Sequence, residues 1–121
     1  MKHIRTEGVV TAQPENYSDC RRLITSDFYR YLGRTVTSPL KLWLLHFKEP
    51  GMGFLYYFRL CQHRGWAYPY LRLRMEKYAR KYGIRMSREM KLGYGLYLGH
   101  GMDVVVNPTA IIGSNIYFFI I

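Results

Sequence analysis

Apolar and polar positions follow no sustained period over the first two dozen residues. Lys2, Arg5, Glu7, Glu15 and Asp19 make this stretch polar, and Pro14, Asn16 and Ser18 add turn chemistry, so 1–24 is expected to be a loose leader. The pattern then becomes helical over 25–83. Thr25 or Ser26 is placed to cap a short helix carrying Phe28, Tyr31 and Leu32, stopped by Gly33. Ser38 followed by Pro39 predicts a second helix start, with Leu40, Trp43, Leu44 and Phe47 on one face, broken by Pro50 and Gly51. A third helix is expected over 53–64, with Phe54, Tyr57, Phe58 and Cys61 at helical spacing. A fourth is expected over 69–82, with Tyr70, Leu73 and Tyr78 apolar against Arg72, Arg74, Lys77, Arg80 and Lys81, and Gly83 ends it.

Past Gly83 the period changes to six. Met86, Leu92 and Leu98 form one series and Val106, Ile112 and Phe118 another, with a step of eight between them. Small or turn-forming residues follow the anchors (Ser87, Gly93, Gly99, Asn107, Gly113), and Met90, Leu96, Ala110 and Ile116 are apolar at the fifth position. Neither the helical nor the strand period fits, whereas a six-residue repeat fits a triangular β-helix in which each hexad forms one short face. The fold class expected is therefore α+β. An α-helical region, 25–83, precedes the start of a parallel β-helix of hexapeptide repeats over 84–121.

Composition narrows the function classes. Eighteen Lys plus Arg against eight Asp plus Glu give a net charge of +10. That balance suits an anionic partner, which charge alone leaves open among nucleic acid, an acidic membrane surface and a phosphorylated cofactor. Cys20 and Cys61 are too few and too far apart for a disulfide framework or a zinc site, and read as plain thiols of a reducing compartment. The chain opens without the apolar core of a secretory signal. Its longest apolar runs, Leu42–Leu45 and Phe54–Phe58, fall far short of the roughly 20 residues that cross a bilayer. A cytoplasmic protein with no membrane span is expected.

The candidate chemistry lies where the six-residue period breaks. The two inserted residues fall in Gly99-His100-Gly101-Met102-Asp103. A bulge pushes a side chain out of a regular lattice, and glycines on both sides of His100 allow close approach of a substrate or a neighbouring chain. A lone histidine is more often structural, but imidazole is the group best suited to deprotonate an alcohol near neutral pH, and the break singles His100 out as a candidate general base.

The segment Leu92-Gly-Tyr-Gly-Leu-Tyr-Leu-Gly-His100-Gly-Met-Asp-Val-Val-Val-Asn-Pro-Thr-Ala-Ile-Ile-Gly113 resembles the core of serine acetyltransferases, nearest to short members associated with bacterial polysaccharide synthesis. Ser26-Asp-Phe-Tyr-Arg-Tyr and Phe54-Leu-Tyr-Tyr-Phe-Arg resemble the helical part of that subgroup, so the resemblance covers about 25–118. It implies a left-handed β-helix, which is an exception to right-handed crossovers. It also implies a homotrimer with sites between subunits, acetyl-CoA as co-substrate, no metal, and O-acetyl transfer to serine in cysteine biosynthesis. His100 falls on the family's general base. Gly99, Gly101 and Asp103 are the adjoining candidate substrate-binding positions.

Three departures qualify that reading. Gly99 stands where serine-specific enzymes carry an aspartate that contacts the amino acid. Arg85 stands where another aspartate orients the histidine; Glu89 and Asp103 are the nearby acids, and neither is at the family position. The chain stops at Ile121, after about two coils, whereas the family's later coils supply a second histidine and most acetyl-CoA contacts. A C-terminally truncated chain is expected, with its cofactor-binding residues beyond Ile121. The alternatives are a sugar O-acetyltransferase of capsule or exopolysaccharide synthesis and a truncated non-catalytic remnant or interaction module.

The remaining signals have plainer readings. Gly93-Tyr94-Gly95-Leu96-Tyr97-Leu98-Gly99 lacks the spacing of a dinucleotide loop and reads as corner glycines. The basic run Arg72–Lys81 is expected to be a solvated face that also packs against a partner subunit, rather than a nucleic-acid site. His46 and His63 are expected at helix ends, where a cation favours the dipole, with no metal-ligand spacing around them.

Overall fold

The computed structural model describes residues 1–6, 9–63, 65–84, 91–95, 97–98, 111–112 and 117–118. The stretch expected to be a loose leader instead holds two strands and the first half of a helix. Strands β1 (Lys2–Thr6) and β2 (Val9–Gln13) form an antiparallel pair with Lys2 opposite Gln13 and Thr6 opposite Val9. A lone two-stranded hairpin is marginal in water. This one is tied to the body of the molecule: its N-terminal amine lies 3.1 Å from the Asp19 carboxylate and 3.4 Å from that of Glu15. Thr11 and Ala12 of β2 are buried.

Helix α1 runs from Tyr17 to Leu32, starting well before the expected cap at Thr25 or Ser26. The cap is Asn16, whose side chain accepts from the Asp19 amide at 2.8 Å, while the Asp19 carboxylate accepts from the Glu15 amide at 3.1 Å. Gly33 closes the helix as expected, at φ 69°, with its N–H on the Tyr29 carbonyl. Helix α2 (Pro39–Leu45) begins at Ser38-Pro39 as the sequence predicts. Its predicted apolar face does exist, but it points outward. Leu42 and His46 are buried, while Leu40, Trp43, Leu44 and Phe47 are exposed.

Helix α3 (Pro50–Cys61) starts at Pro50, so the residue read as a breaker occupies the first turn, where its missing N–H costs nothing. Met52, Phe54, Leu55, Tyr57, Phe58 and Cys61 are all buried, which marks α3 as the central helix. Helix α4 (Tyr68–Tyr82) ends at Gly83, φ 69°. Its inward residues are Leu71 and Met75, with Tyr78 half-buried, so the face is turned from the one expected, and Tyr70 and Leu73 are exposed.

Two clusters flank α3. One joins its Phe54, Leu55, Tyr57, Phe58 and Cys61 to Leu71, Met75, Ile84 and Leu92. The other joins Met52 to Ile24, Phe28, Val36 and Leu42. Leu92, an anchor of the six-residue series, is thus part of the helical core.

Beyond the helices, the described strands pair in parallel. β3 (Lys91–Leu92) pairs with β5 (Ile111–Ile112), Lys91 to Ile111 and Leu92 to Ile112. β4 (Tyr97–Leu98) pairs with β6 (Tyr117–Phe118), Tyr97 to Tyr117 and Leu98 to Phe118. Each pairing spans twenty residues, and in each an anchor meets the anchor three steps further along the repeat: two steps of six and one of eight.

Candidate functional site

Gly99, His100, Gly101 and Asp103 lie outside the described residues, as do Arg85 and Glu89. What the structure describes is the seat that carries the chain into this segment. Gly93, Tyr94 and Gly95 are each fixed by a different element. The Gly93 carbonyl accepts from Arg59 Nη2 of α3 at 2.8 Å. The Gly95 amide donates to Ser26 Oγ of α1 at 3.1 Å, and Gly95 turns the chain at φ 70°. The Tyr94 hydroxyl is 2.7 Å from His3 Nε2 of β1, with the two rings stacked. Gly95 therefore adopts a left-handed backbone that favours glycine. Ser26 serves not as a helix cap but as a clamp, donating to the Leu23 carbonyl at 2.7 Å while accepting from Gly95.

Arg59 is the centre of this seat. It is fully buried and grips Asp27 with both Nε (2.7 Å) and Nη2 (3.0 Å), a bidentate, charge-assisted pair. A buried cation persists only when its donors are satisfied, and Asp27, Gly93 and Gln62 (3.5 Å from Nη1) supply the acceptors. Arg59 and Asp27 lie in the two helical segments that carry the family resemblance, but neither is given a role by the sequence alone. The available signal was a single charge inside an otherwise apolar helix, Phe54-Leu-Tyr-Tyr-Phe-Arg-Leu-Cys, which demands a buried counter-charge.

The other titratable groups among the described residues have structural roles. Burial pushes the Cys20 thiol up to about 12, so it stays protonated and inert, and Cys61 is also buried and forms no disulfide with it. His46 is not a solvated helix-end cation. It is buried, its Nδ1 donates to the Trp43 carbonyl, and its Nε2 is left to accept from the Tyr57 hydroxyl at 3.1 Å. Burial lowers its pKa, with the Arg74 charge adding to the effect, so the ring is neutral. His63 packs edge-on against Tyr17. Among the described residues no group of three His, Cys, Asp or Glu could hold a metal, and no helix is long and apolar enough to cross a membrane. On α4, Glu76 bridges Arg72 (3.0 Å) and Arg80 (3.4 Å), while Lys77 and Lys81 line open clefts as the solvated basic face expected there.

Helices followed by short parallel strands in a six-residue repeat define the architectural class. The chain is similar in fold to the crystal structure of serine acetyltransferase isoform 3 in complex with cysteine from Entamoeba histolytica, with a TM-score of 0.60 at 23 % identity. The match covers 85 % of this chain and 37 % of that one, so the chain spans well under half the length of that enzyme. No protein-family model matches the chain, and no curated protein does. The serine acetyltransferase-like fold is therefore established by three-dimensional similarity.

Proposed function

We propose that the chain is the front part of an acetyl-CoA-dependent O-acetyltransferase of the serine acetyltransferase type, and that residues 84–121 begin a left-handed β-helix. The observation that carries this reading is the twenty-residue parallel register. Three anchor steps per coil is what a triangular helix with one two-residue insertion requires, and in the sequence the insertion lies between Leu98 and Val106, the stretch that contains His100. His100 is the general base. Its neutral imidazole takes the proton of the acceptor hydroxyl as the oxygen attacks the thioester carbonyl carbon. The C–S bond then breaks, the acetyl group stays on the acceptor oxygen, and the imidazolium returns the proton to the leaving thiolate of coenzyme A. No covalent enzyme intermediate and no metal are needed.

Gly99, Gly101 and Asp103 border the acceptor in this reading, and a trimer, assembled in the cytoplasm, places the site between subunits. Serine is the first acceptor to try. Gly99, which carries no side chain to contact an amino acid, favours a second reading in which a sugar hydroxyl of capsule or exopolysaccharide precursors is acetylated. The deciding assay follows coenzyme A release from acetyl-CoA with L-serine and with nucleotide sugars, in a complete version of the enzyme and in its His100→Ala variant. Turnover abolished by the substitution, with assembly unchanged, supports the proposal, and the productive acceptor chooses between the readings. Turnover that survives His100→Ala rejects His100 as the base. A folded chain that neither binds acetyl-CoA nor releases coenzyme A is a non-catalytic interaction module.

A further inference from the structure

We propose that the outward face of α2 docks on an anionic lipid surface, an inference independent of the acetyl-transfer reading. Leu40, Trp43, Leu44 and Phe47 follow helical spacing along one side of α2 and its closing turn, and are 65 %, 45 %, 53 % and 56 % exposed. Soluble proteins rarely leave large apolar side chains contiguous and bare, and such a patch marks a binding surface. The opposite side is already used: Leu42 packs into the core beside α1 and α3, and His46 is sealed beneath Tyr56 and Tyr57. The face is therefore presented by a firmly seated element. Trp43 and Phe47 meet edge-to-face at 5.4 Å, which holds the two rings together at the surface.

Charge selects the occupant. From Phe28 to Lys48 the chain has no acidic residue and four cations, Arg30, Arg34, Lys41 and Lys48. Lys41, Lys48 and Arg34 are exposed, and the two lysines sit one position after Leu40 and Phe47, at the margin of the apolar strip. A protruding strip of Trp, Phe and Leu rimmed by lysine is the chemistry of an interfacial membrane anchor: rings and aliphatic groups enter the headgroup boundary and the ammonium groups stay with lipid phosphates. A second copy of this chain is a poorer occupant. A self-complementary contact through α2 would bring the same lysines of two molecules, each at +10, face to face. The motif lies on the surface and crosses nothing, in keeping with helices too short to span a bilayer.

The test uses the full 121-residue chain, with Trp66→Phe so that Trp43 is the only indole, and vesicles of phosphatidylcholine with phosphatidylglycerol in equal parts or of phosphatidylcholine alone. Co-sedimentation with the anionic vesicles and a blue shift of Trp43 emission are expected. Leu40→Ser/Leu44→Ser should weaken binding at least tenfold, and Lys41→Gln and Lys48→Gln should each weaken it by about fivefold. All four positions are exposed, so these variants should keep the far-ultraviolet circular dichroism and thermal midpoint of the parent. No association with anionic vesicles overturns the proposal. So does association that Leu40→Ser/Leu44→Ser leaves unchanged, which would place the contact on another basic face. Sedimentation velocity showing a dimer that this variant dissociates, without vesicle binding, assigns the face to a second copy instead.

Discussion

Arg59 brings a charge into the buried central helix α3, and its neighbours decide what that costs. Removing the charge from water costs several kcal/mol, which the two bonds to Asp27 and the bond to the Gly93 carbonyl offset. Arg59→Met alone removes the guanidinium that faces the Asp27 carboxylate, and Asp27→Leu alone removes the guanidinium's counter-charge. Each is expected to lower stability by about 3–5 kcal/mol in urea unfolding. The double variant should recover much of that loss, because no buried charge is left unpaired. It should still leave Gly93 without its donor, so amide exchange across 91–95 should quicken relative to α3. A double variant as unstable as the sum of the singles would show that the charges are not coupled. His46 offers a second test. Its folded pKa lies below the ordinary 6.5, chiefly because of burial, so below that pH the unfolded chain takes up a proton that the folded chain resists. The His46 contribution is therefore complete above pH 6.5 and is lost as the pH falls from there through the lowered folded value. A thermal midpoint that declines below pH 6.5 in the wild type but more gently in His46→Phe is the expected result, and parallel profiles would rule His46 out as the cause.

Local caps and stops were legible at the element scale, while facing and pairing were not. Ser38-Pro39, Gly33 and Gly83 act on their immediate neighbours, and each sits where local chemistry places it. Which side of α2 or α4 faces inward depends on where α3 lies. On α2 the largest apolar side chains are outside, so a count of apolar residues selects the wrong face. The N-terminal strands carry no period of their own; pairing with each other and the ionic tie to Asp19 hold them. The start of α1 was readable in principle, since Asn16 precedes Asp19 at capping distance, but the polar run hid it. Asn16→Ala is expected to cost about 1 kcal/mol and Asn16→Gly only a few tenths, in urea unfolding monitored by helix signal. Equal losses would mean that the side-chain bond to the Asp19 amide contributes little. Gly95 marks the boundary between helices and repeat. Gly95→Ala forces a β-carbon onto a backbone at φ 70° and should cost about 1–2 kcal/mol, read by the same unfolding.

For the whole molecule, the six-residue spacing is the sequence signal that meets the described strands, since β3 and β4 start six residues apart, as do β5 and β6. The twenty-residue register follows from it by arithmetic, and Leu92 is where the repeat enters the helical core. The seat beneath the repeat was not legible, since Arg59, Asp27, Ser26 and His3 are brought together only by tertiary contact. This attachment bears on how acetyl-CoA binding would register. With the repeat welded to α1 and α3, a ligand gripping the repeat must stabilise the whole cooperative unit rather than a detached tail. At ~100 times its dissociation constant a ligand adds about 2.7 kcal/mol, enough to raise the thermal midpoint by several degrees. In a complete version that carries the later coils, acetyl-CoA is expected to produce such a shift, and His100→Ala should retain it, because a general base acts on the acceptor proton rather than on the cofactor. If sites lie between subunits, the shift should also grow with protein concentration as the trimer forms. A midpoint of that complete version indifferent to acetyl-CoA at every protein concentration would separate the fold from the activity, leaving the protein a structural relative of the acetyltransferases without their chemistry.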